Sequence, residues 1–191
     1  TNQILHKKSK SEKFVFMYLG SISPSAGIEL LIESFASANI DNSMLIISGD
    51  GSEKNRCMSL AKKYSCQIEF IEANLEDVPK IQAKADILLL PLRKGIGKTA
   101  SPSKLSAYMF SKKPIIASID LDSDSARIIN EANAGWVIEP DNKDKLADVM
   151  RVAFLSKRSE LELKGQNGFN FAIKNLSKKN NLKKLVNVIL E

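Results

Sequence analysis

The sequence holds little of the chemistry that most hydrolases and metal enzymes use. Its 191 residues include one histidine, His6, which precedes the first apolar run. The body of the chain therefore has no imidazole to offer, which excludes most Ser-His-Asp, Cys-His and histidine-ligated zinc sites.

Cysteines are few and long hydrophobic runs are absent. Cys57 and Cys66 are expected to be reduced intracellular thiols, with a bridge or a ligand pair as the alternative. No apolar run approaches the ~20 residues of a membrane span, and the N-terminus lacks a signal-peptide core. With 43% hydrophobic and 26% charged residues, the composition is that of an ordinary soluble globular chain, and its length favours one domain.

Positive charge is concentrated towards the two ends of the chain, whose formal net charge is +6. Residues 157–184 hold eight basic side chains against two acidic ones, and residues 7–13 hold four lysines against one glutamate. Basic segments of this kind can bind nucleic acid or an anionic membrane. No aromatic ladder or nucleic-acid motif accompanies these lysines, so solvated helix faces are expected and no nucleic-acid partner. Peripheral contact with an anionic inner membrane stays open.

Short apolar runs alternate with amphipathic stretches, a pattern typical of a parallel sheet wrapped by helices. Strands are predicted at 14–19, 44–48, 67–71, 86–91, 114–118 and 136–138, with helices between them. The sequence therefore predicts an α/β domain over residues 14–175: a doubly wound, mainly parallel, Rossmann-like sheet with extra C-terminal helices. Residues 1–13 are interpreted as a leader or linker, and 176–191 as a final helix.

Ligands of such sheets bind beyond the carboxyl ends of the strands, so the loops that follow strands are candidates for a site. One loop runs from Gly20 to Gly27 through small polar residues. Another, Gly49-Asp50-Gly51, would let a phosphate approach the backbone closely. Lys54 stands where a full Gly-x-Gly-x-x-Gly pattern needs its third glycine, so a plain tight turn is the alternative.

The loop over residues 92–104 is the strongest candidate because it is basic and opens a helix. It reads LRKGIGKTASPSK and contains no acidic residue. Ser101 is a good N-cap, Pro102 suits the first helical position, and Lys104 lies in the first turn. A helix N-terminus together with a lysine forms an anion site. A solvated basic loop with a normally capped helix is the alternative.

The order of these segments resembles the C-terminal half of the group-1 retaining glycosyltransferases, which have the GT-B architecture of two facing Rossmann-like domains. The resemblance covers roughly residues 14–190. It is carried by the 20–27 loop, Gly49-Asp50-Gly51, 85–91, Ser101-Pro-Ser-Lys-Leu105, 113–117, 134–140 and the closing helices. The sequence looks most like the branch that transfers amino sugars in the assembly of bacterial surface polysaccharide or lipopolysaccharide.

The resemblance implies that this half binds a nucleotide-sugar donor, while an N-terminal domain outside this sequence holds the acceptor. It implies a cytoplasmic enzyme that transfers the sugar with retention and without a metal, and it assigns no catalytic residue here. Gly20 and Ser21 would lie beside the donor phosphates. The implied site also includes Gly49 and Gly51 near the nucleotide, Ile71 and Glu72 beside the base, and Ser101, Ser103, Lys104 and Leu105 at the pyrophosphate.

The sequence departs from the family pattern at the donor site. Two glutamates that many relatives carry, the second of which grips the ribose, fall on Thr99 and Ala107. A basic pair in the first loop falls on Ser21 and Ala26. The alternatives are therefore a non-catalytic nucleotide-binding or scaffolding module, or a different GT-B enzyme such as a sugar-nucleotide epimerase.

Overall fold

Six apolar runs form the strands of one parallel β-sheet. A computed structural model describes residues 13–72, 74–97 and 103–176. The strands are β1 (Phe14–Leu19), β2 (Ser43–Ser48), β3 (Ile68–Ile71), β4 (Ile87–Pro91), β5 (Ile115–Ser118) and β6 (Gly135–Ile138). Each neighbouring pair is parallel, in the order β3-β2-β1-β4-β5-β6. The predicted strands are confirmed to within one residue at each end.

Helices join the strands and continue after the last one. They are α1 (Ile28–Ala38), α2 (Lys54–Ala61), α3 (Val78–Ala83), α4 (Ser103–Phe110), α5 (Asp124–Ala132), α6 (Lys143–Leu155) and α7 (Arg158–Asn175). Side chains cap two of them. Ser123 Oγ accepts the Ala126 N–H at 3.2 Å, and Asn142 Oδ1 accepts the Lys145 N–H at 3.0 Å. Each cap satisfies a first-turn donor that has no partner within its helix, which fixes where α5 and α6 begin.

The sheet carries a separate hydrophobic core on each face. Phe16 and Tyr18 of β1 pack into the first core with side chains of α1, α2 and α6. Met17 and Leu19 point the other way, into a second core completed by α4, α5 and α7. Strands covered on both faces are apolar throughout, which is why β1 and β4 read as continuous apolar runs rather than alternating ones. Helices on both faces confirm the predicted doubly wound fold.

The ends of the chain fall mostly beyond this description. Among the residues predicted as a leader, only Lys13 is described, and among those of the predicted last helix, only Leu176. The predicted domain limits at 14 and 175 stay a prediction. The described body nevertheless runs from β1 to the end of α7, and it contains every loop that the sequence singled out except residues 98–102.

Candidate functional site

The carboxyl ends of β1 and β4 meet at the centre of the sheet, where the strand order reverses. The order β3-β2-β1-β4-β5-β6 is the one in which dinucleotide-binding sheets place their ligand crevice, at this switch point. The loop after β1 begins at Gly20, and the loop after β4 leads to α4. The sequence analysis assigned residues of these two loops to one site, and the structure places the two loops side by side.

Lys104, in the first turn of α4, reaches back to the end of β1. Its Nζ lies so close to Gly20 that a Cβ at residue 20 would overlap it. The Lys104 ammonium therefore contacts the backbone at Gly20, and any larger residue at position 20 would displace it. Two residues that the sequence assigned to one site, 84 positions apart, are in contact.

Burial determines the electrostatics of this lysine. Lys104 Nζ donates a hydrogen bond to the Tyr18 hydroxyl at 2.9 Å and lies 4.5 Å from the centre of the Tyr18 ring. Burial lowers the pKa of Lys104 to about 8, because the charged form has lost much of its hydration. Burial also raises the pKa of Tyr18, so the phenol stays neutral. Tyr18 was missed by the sequence reasoning, since a tyrosine in an apolar strand is most often a core residue.

A second buried tyrosine fixes α4 against β1. The Tyr108 hydroxyl accepts the Leu19 N–H at 2.9 Å and donates to the Leu19 carbonyl at 3.1 Å. The side chain of Leu105, on the same helix, is 1% exposed and packs into the second core. Ser103 begins the helix. The start of α4 is therefore held in a fixed relation to the carboxyl end of β1.

The loops after β1 and β2 are bonded to each other. Ile22 N–H donates to the Asp50 carbonyl at 2.8 Å, and the Glu53 N–H donates to the Ile22 carbonyl at 3.1 Å. A Cβ at Gly49, where φ is +148°, would overlap the Gly20 carbonyl, and one at Gly51 would overlap the Ile22 carbonyl. Close contact with the chain's own backbone is therefore sufficient to explain why glycine stands at both positions. Their assignment to a nucleotide stays a prediction.

The loop after β4 is anchored by a carboxylate from the loop that follows β5. Asp120, 7% exposed, accepts the Gly95 N–H on both oxygens, at 3.0 and 2.9 Å, and the Gly97 N–H at 3.0 Å. Carboxylates that accept several backbone N–H groups are strong loop anchors. Asp120 lies two residues beyond the end of β5, and an acidic residue just after an apolar run was the sequence signal that could have indicated it.

Acidic residues from other parts of the fold neutralise part of the positive charge of the basic loop over residues 92–104. Arg93 forms an ion pair with Asp141 at 3.0 Å and lies 3.9 Å from Glu29. Asp141 also accepts the Lys94 backbone N–H at 3.1 Å. The segment contains no acidic residue of its own, as the sequence shows. In the folded chain, however, Glu29 and Asp141 from other segments lie beside it. Lys98 and Ser101, the predicted N-cap, lie outside the described residues.

The predicted base-binding edge carries an ion-pair cluster. Ile71, half-buried at the end of β3, accepts the Gly49 N–H at 3.3 Å. Glu72 is exposed and pairs with Lys54 at 3.1 Å, and Lys54 also lies 3.6 Å from Asp50. The sequence analysis noted Lys54 only because it stands in place of a glycine, and it did not predict these ion pairs, because Asp50 and Glu72 lie outside the helix that begins at Lys54.

Two further predicted positions differ in exposure from their neighbours. Ser21 is exposed, and its carbonyl accepts the Tyr18 hydroxyl at 2.6 Å. Ala107, on which the resemblance places a glutamate of many family members, is also exposed. It lines an open recess of about 360 Å³ between α3 and α4, with Val78, Pro79, Gln82, Ala83, Phe110 and Ser111. A larger side chain at residue 107 would therefore enter this recess rather than the core.

Neither thiol nor metal chemistry is evident in the described part of the chain. Both cysteines are free thiols, and burial raises the pKa of Cys57 to about 11. No three His, Cys, Asp or Glu side chains are grouped as metal ligands among residues 13–72, 74–97 and 103–176. Over the same residues, no helix combines the length and the apolarity that crossing a bilayer takes.

The fold and the switch-point site define a Rossmann-like domain of the kind found in glycosyltransferases. The family model described as glycosyl transferases group 1 matches residues 2–170, so the chain belongs to that family. It is 26% identical over 144 residues to a probable glycosyltransferase, WbjE, of Pseudomonas aeruginosa, an alignment that covers 71% of this chain and 34% of the relative. The chain spans about a third of the length of this curated relative.

Two solved structures show the same fold at low sequence identity. The C-terminal domain of a group 1 family glycosyl transferase, LpcC, from Francisella tularensis superposes with a TM-score of 0.73 at 19% identity, covering 87% of this chain and 88% of that one. Anabaena HepE, in complex with UDP and glucose, gives a TM-score of 0.79 at 15% identity, with 94% and 49% covered. The likeness to the LpcC domain extends over nearly the whole of both chains.

Proposed function

We propose that this chain is the C-terminal, nucleotide-sugar-binding half of a GT-B glycosyltransferase. The observation that carries the proposal is the position of Lys104 Nζ on the Gly20 turn, at the switch point between β1 and β4. A cation there lies where sheets of this order bind phosphates. The HepE structure, which holds UDP and glucose, supports a nucleotide sugar as the ligand.

The chain's own groups would act on the leaving diphosphate. The first-turn N–H groups of α4, those of Ser103, Lys104 and Leu105, have no acceptor within the helix. With the Lys104 ammonium and the positive end of the helix dipole, they form donors whose positions are fixed before the reaction. Donors of this kind stabilise the negative charge that develops on a leaving diphosphate, without a metal. We infer a transfer with retention, as the resemblance implies, with Glu72 and Ile71 at the nucleobase.

The wider setting of the enzyme is also part of the proposal. The likeness to the LpcC C-terminal domain supports an acceptor-binding domain on the N-terminal side. We infer a cytoplasmic enzyme of bacterial surface-polysaccharide assembly that contacts the inner membrane peripherally. Within α7 the basic side chains are partly engaged, since Arg158 pairs with Asp86 and Lys164 lies 4.9 Å from the Trp136 ring.

Ala107 supports a second candidate, a nucleotide-binding module without catalysis. The exposed methyl group offers nothing to ribose hydroxyls, whereas a glutamate would accept hydrogen bonds from both. Such a module would bind nucleoside diphosphates and discriminate poorly between ribose and deoxyribose. Turnover by the chain together with its N-terminal domain separates the two candidates, because the module would bind the donor and release no sugar.

A nucleotide panel tests donor binding directly. UDP, GDP, ADP and dTDP, with their sugars, are titrated against the chain by calorimetry and thermal shift. A ligand at 100 times its Kd stabilises a protein by about 2.7 kcal/mol, enough to raise the Tm measurably. Lys104→Met should weaken binding by about 1.5–3 kcal/mol, the contribution of a charged hydrogen bond.

Lys157→Met is the matched control, because Lys157 is exposed and lies outside the proposed site, before α7. It should leave the affinity unchanged. Equal losses of affinity in both variants would mean that the nucleotide is attracted only by the overall positive charge of the protein and not by a specific site. No stabilisation by any member of the panel would refute the proposal.

A further inference from the structure

Lys104 has a tyrosine where buried lysines usually have a carboxylate. Its Nζ donates to the Tyr18 hydroxyl at 2.9 Å and lies 4.5 Å from the ring centre. Over the described ranges, no carboxylate forms an ion pair with Lys104, and burial alone shifts its pKa. Buried charges are normally paired. The ammonium is thus held by a neutral group, with its positive charge uncompensated by this part of the chain.

Tyr18 is itself fixed in direction. Its side chain is 0% exposed within the first core, and its hydroxyl donates to the Ser21 carbonyl at 2.6 Å. A phenol has a single O–H to donate. Because Ser21 takes that proton, the oxygen lone pair is left to accept from Lys104. The order of bonds is therefore Lys104 to Tyr18 to Ser21, and it joins α4, β1 and the Gly20 turn.

We propose that Tyr18 is the positioning residue for Lys104, and that the diphosphate of a nucleotide sugar supplies the negative charge that no described carboxylate supplies. This inference rests on the proposed function. A carboxylate in place of Tyr18 would hold the lysine equally well, but it would neutralise the ammonium and repel a phosphate. A neutral acceptor holds the ammonium and leaves its charge for the ligand.

The arrangement makes binding depend on pH in a definite direction. Among the described residues, the titratable group in contact with this ammonium is the phenol of Tyr18 on β1. The Tyr108 phenol lies one turn further along α4, and burial raises the pKa of both tyrosines. Lys104, with a pKa of about 8, is the group that changes charge near neutral pH. Affinity for a nucleotide sugar, whose diphosphate has no terminal phosphate that titrates at about pH 6, should be constant below this pKa and fall up to about tenfold per pH unit above it. An ordinary lysine would hold its charge to about pH 10.

Tyr18→Phe tests the positioning role, with Tyr108→Phe as its matched control. Both variants lose one buried hydroxyl and keep the ring, but only Tyr18 touches Lys104. In Tyr18→Phe the ammonium loses its acceptor, so UDP or GDP should bind about 3-fold to 10-fold more weakly at pH 7. The alkaline loss of affinity should begin at lower pH than in the native chain. Tyr108→Phe should lower the Tm and leave the pH profile unchanged.

A measurement without nucleotide keeps this inference separate from the proposed function. The Lys104 side chain is followed by NMR during a pH titration of the native chain and of Tyr18→Phe, with Lys104→Met identifying its signal. A lower midpoint in Tyr18→Phe supports the positioning role, and an unchanged midpoint overturns it. If the midpoint moves but neither the nucleotides nor pyrophosphate bind the native chain, the proposed function and the assigned charge partner are both wrong, although Tyr18 still holds Lys104.

Discussion

The Asp86 carboxylate and the Arg158 guanidinium lie 2.7 Å apart at the amino ends of the central strands, away from the site at their carboxyl ends. Asp86 is 2% exposed in its side chain, and its second oxygen accepts the Val15 N–H at 2.8 Å. This carboxylate therefore ties the start of α7 to the starts of the two central strands. The pair is part of the fold rather than of the site.

Asp86→Ala should destabilise the chain without affecting ligand binding. It leaves the buried Val15 N–H without its side-chain acceptor and removes the buried one of the two carboxylates paired with Arg158, so the free energy of unfolding should fall by about 2–3 kcal/mol. Asp86→Asn, which keeps an acceptor, should lose less. Urea denaturation measures both. Glu131→Ala, which breaks an exposed pair with Arg127, should have no measurable effect. A similar loss from Glu131→Ala would show that the burial of Asp86 is irrelevant.

Asp120→Asn should loosen the loop after β4. With its oxygen in the Oδ2 position, an amide would still accept both N–H groups, but its NH2 group would face the Gly95 N–H, donor against donor. Turned the other way, it would leave the Gly97 N–H without its acceptor. We expect a loss of about 1–3 kcal/mol in stability, faster hydrogen exchange at both glycines and weaker nucleotide binding. Glu139→Gln, an exposed change at the same edge of the sheet, is the control. Unchanged exchange at Gly95 and Gly97 would contradict the anchoring role.

Ala107→Glu should restore a carboxylate at the family position without harming the fold. Because Ala107 is exposed, the new carboxylate stays hydrated. Accepting two ribose hydroxyls should tighten UDP or GDP binding by about 1.5–3 kcal/mol relative to the deoxynucleotides. Ala83→Glu, on the facing wall of the recess, should not. If calorimetry finds no such preference, the alignment of α4 with the family is wrong.

Gly165→Ala should destabilise the chain although alanine favours helices. In most helix interiors this change gains about 1 kcal/mol. Here the added Cβ would overlap the Lys112 carbonyl, a backbone group that cannot turn aside. We expect a net loss of about 1–3 kcal/mol, typical of overpacking. Gly168→Ala, where the nearest atom is the Ala134 Cβ at 3.2 Å, should be close to neutral by thermal denaturation. Equal effects at the two glycines would contradict this.

The chain by itself should transfer no sugar. Transfer needs an acceptor held in line with the donor and water kept from the cleft, and we assign both tasks to a facing domain. Incubation with UDP and GDP sugars and candidate acceptors, followed by mass spectrometry, should show the donor unchanged. Turnover by the chain alone would mean that these residues contain the whole catalytic site.

The strands could be predicted because the sheet buries both faces of its central members. Such strands are unbroken apolar runs, which a sequence displays directly. The last residue of each strand could be predicted as well, but the first residue of most strands was off by one, because pairing with the neighbouring strand decides it. Ser43 joins β2 by lying opposite Phe14, and Gly135 joins β6 by lying opposite Ile115. Neither neighbour is visible in the local composition.

The site could be predicted only as far as topology reaches. Parallel strands send their following loops to one edge, so the meeting of Gly20 with Lys104 follows from the element order. The side chains that pair with these loops cannot be inferred from the element order. Asp120 lies 25 residues from Gly95, and Asp141 lies 48 residues from Arg93. Tyr18 is harder still, because its ring serves the core and only its hydroxyl serves the lysine.

The bonding between the loops after β1 and β2 has a consequence for the thermodynamics of binding. Ile22 exchanges hydrogen bonds with Asp50 and Glu53, and glycines allow the two backbones to lie in contact. These loops become ordered when the chain folds, so they have little conformational entropy left to lose when a ligand arrives. A ligand held there spends less of its interaction free energy on ordering the protein than one that must first organise mobile loops. On this side of the crevice, affinity then reflects the contacts themselves.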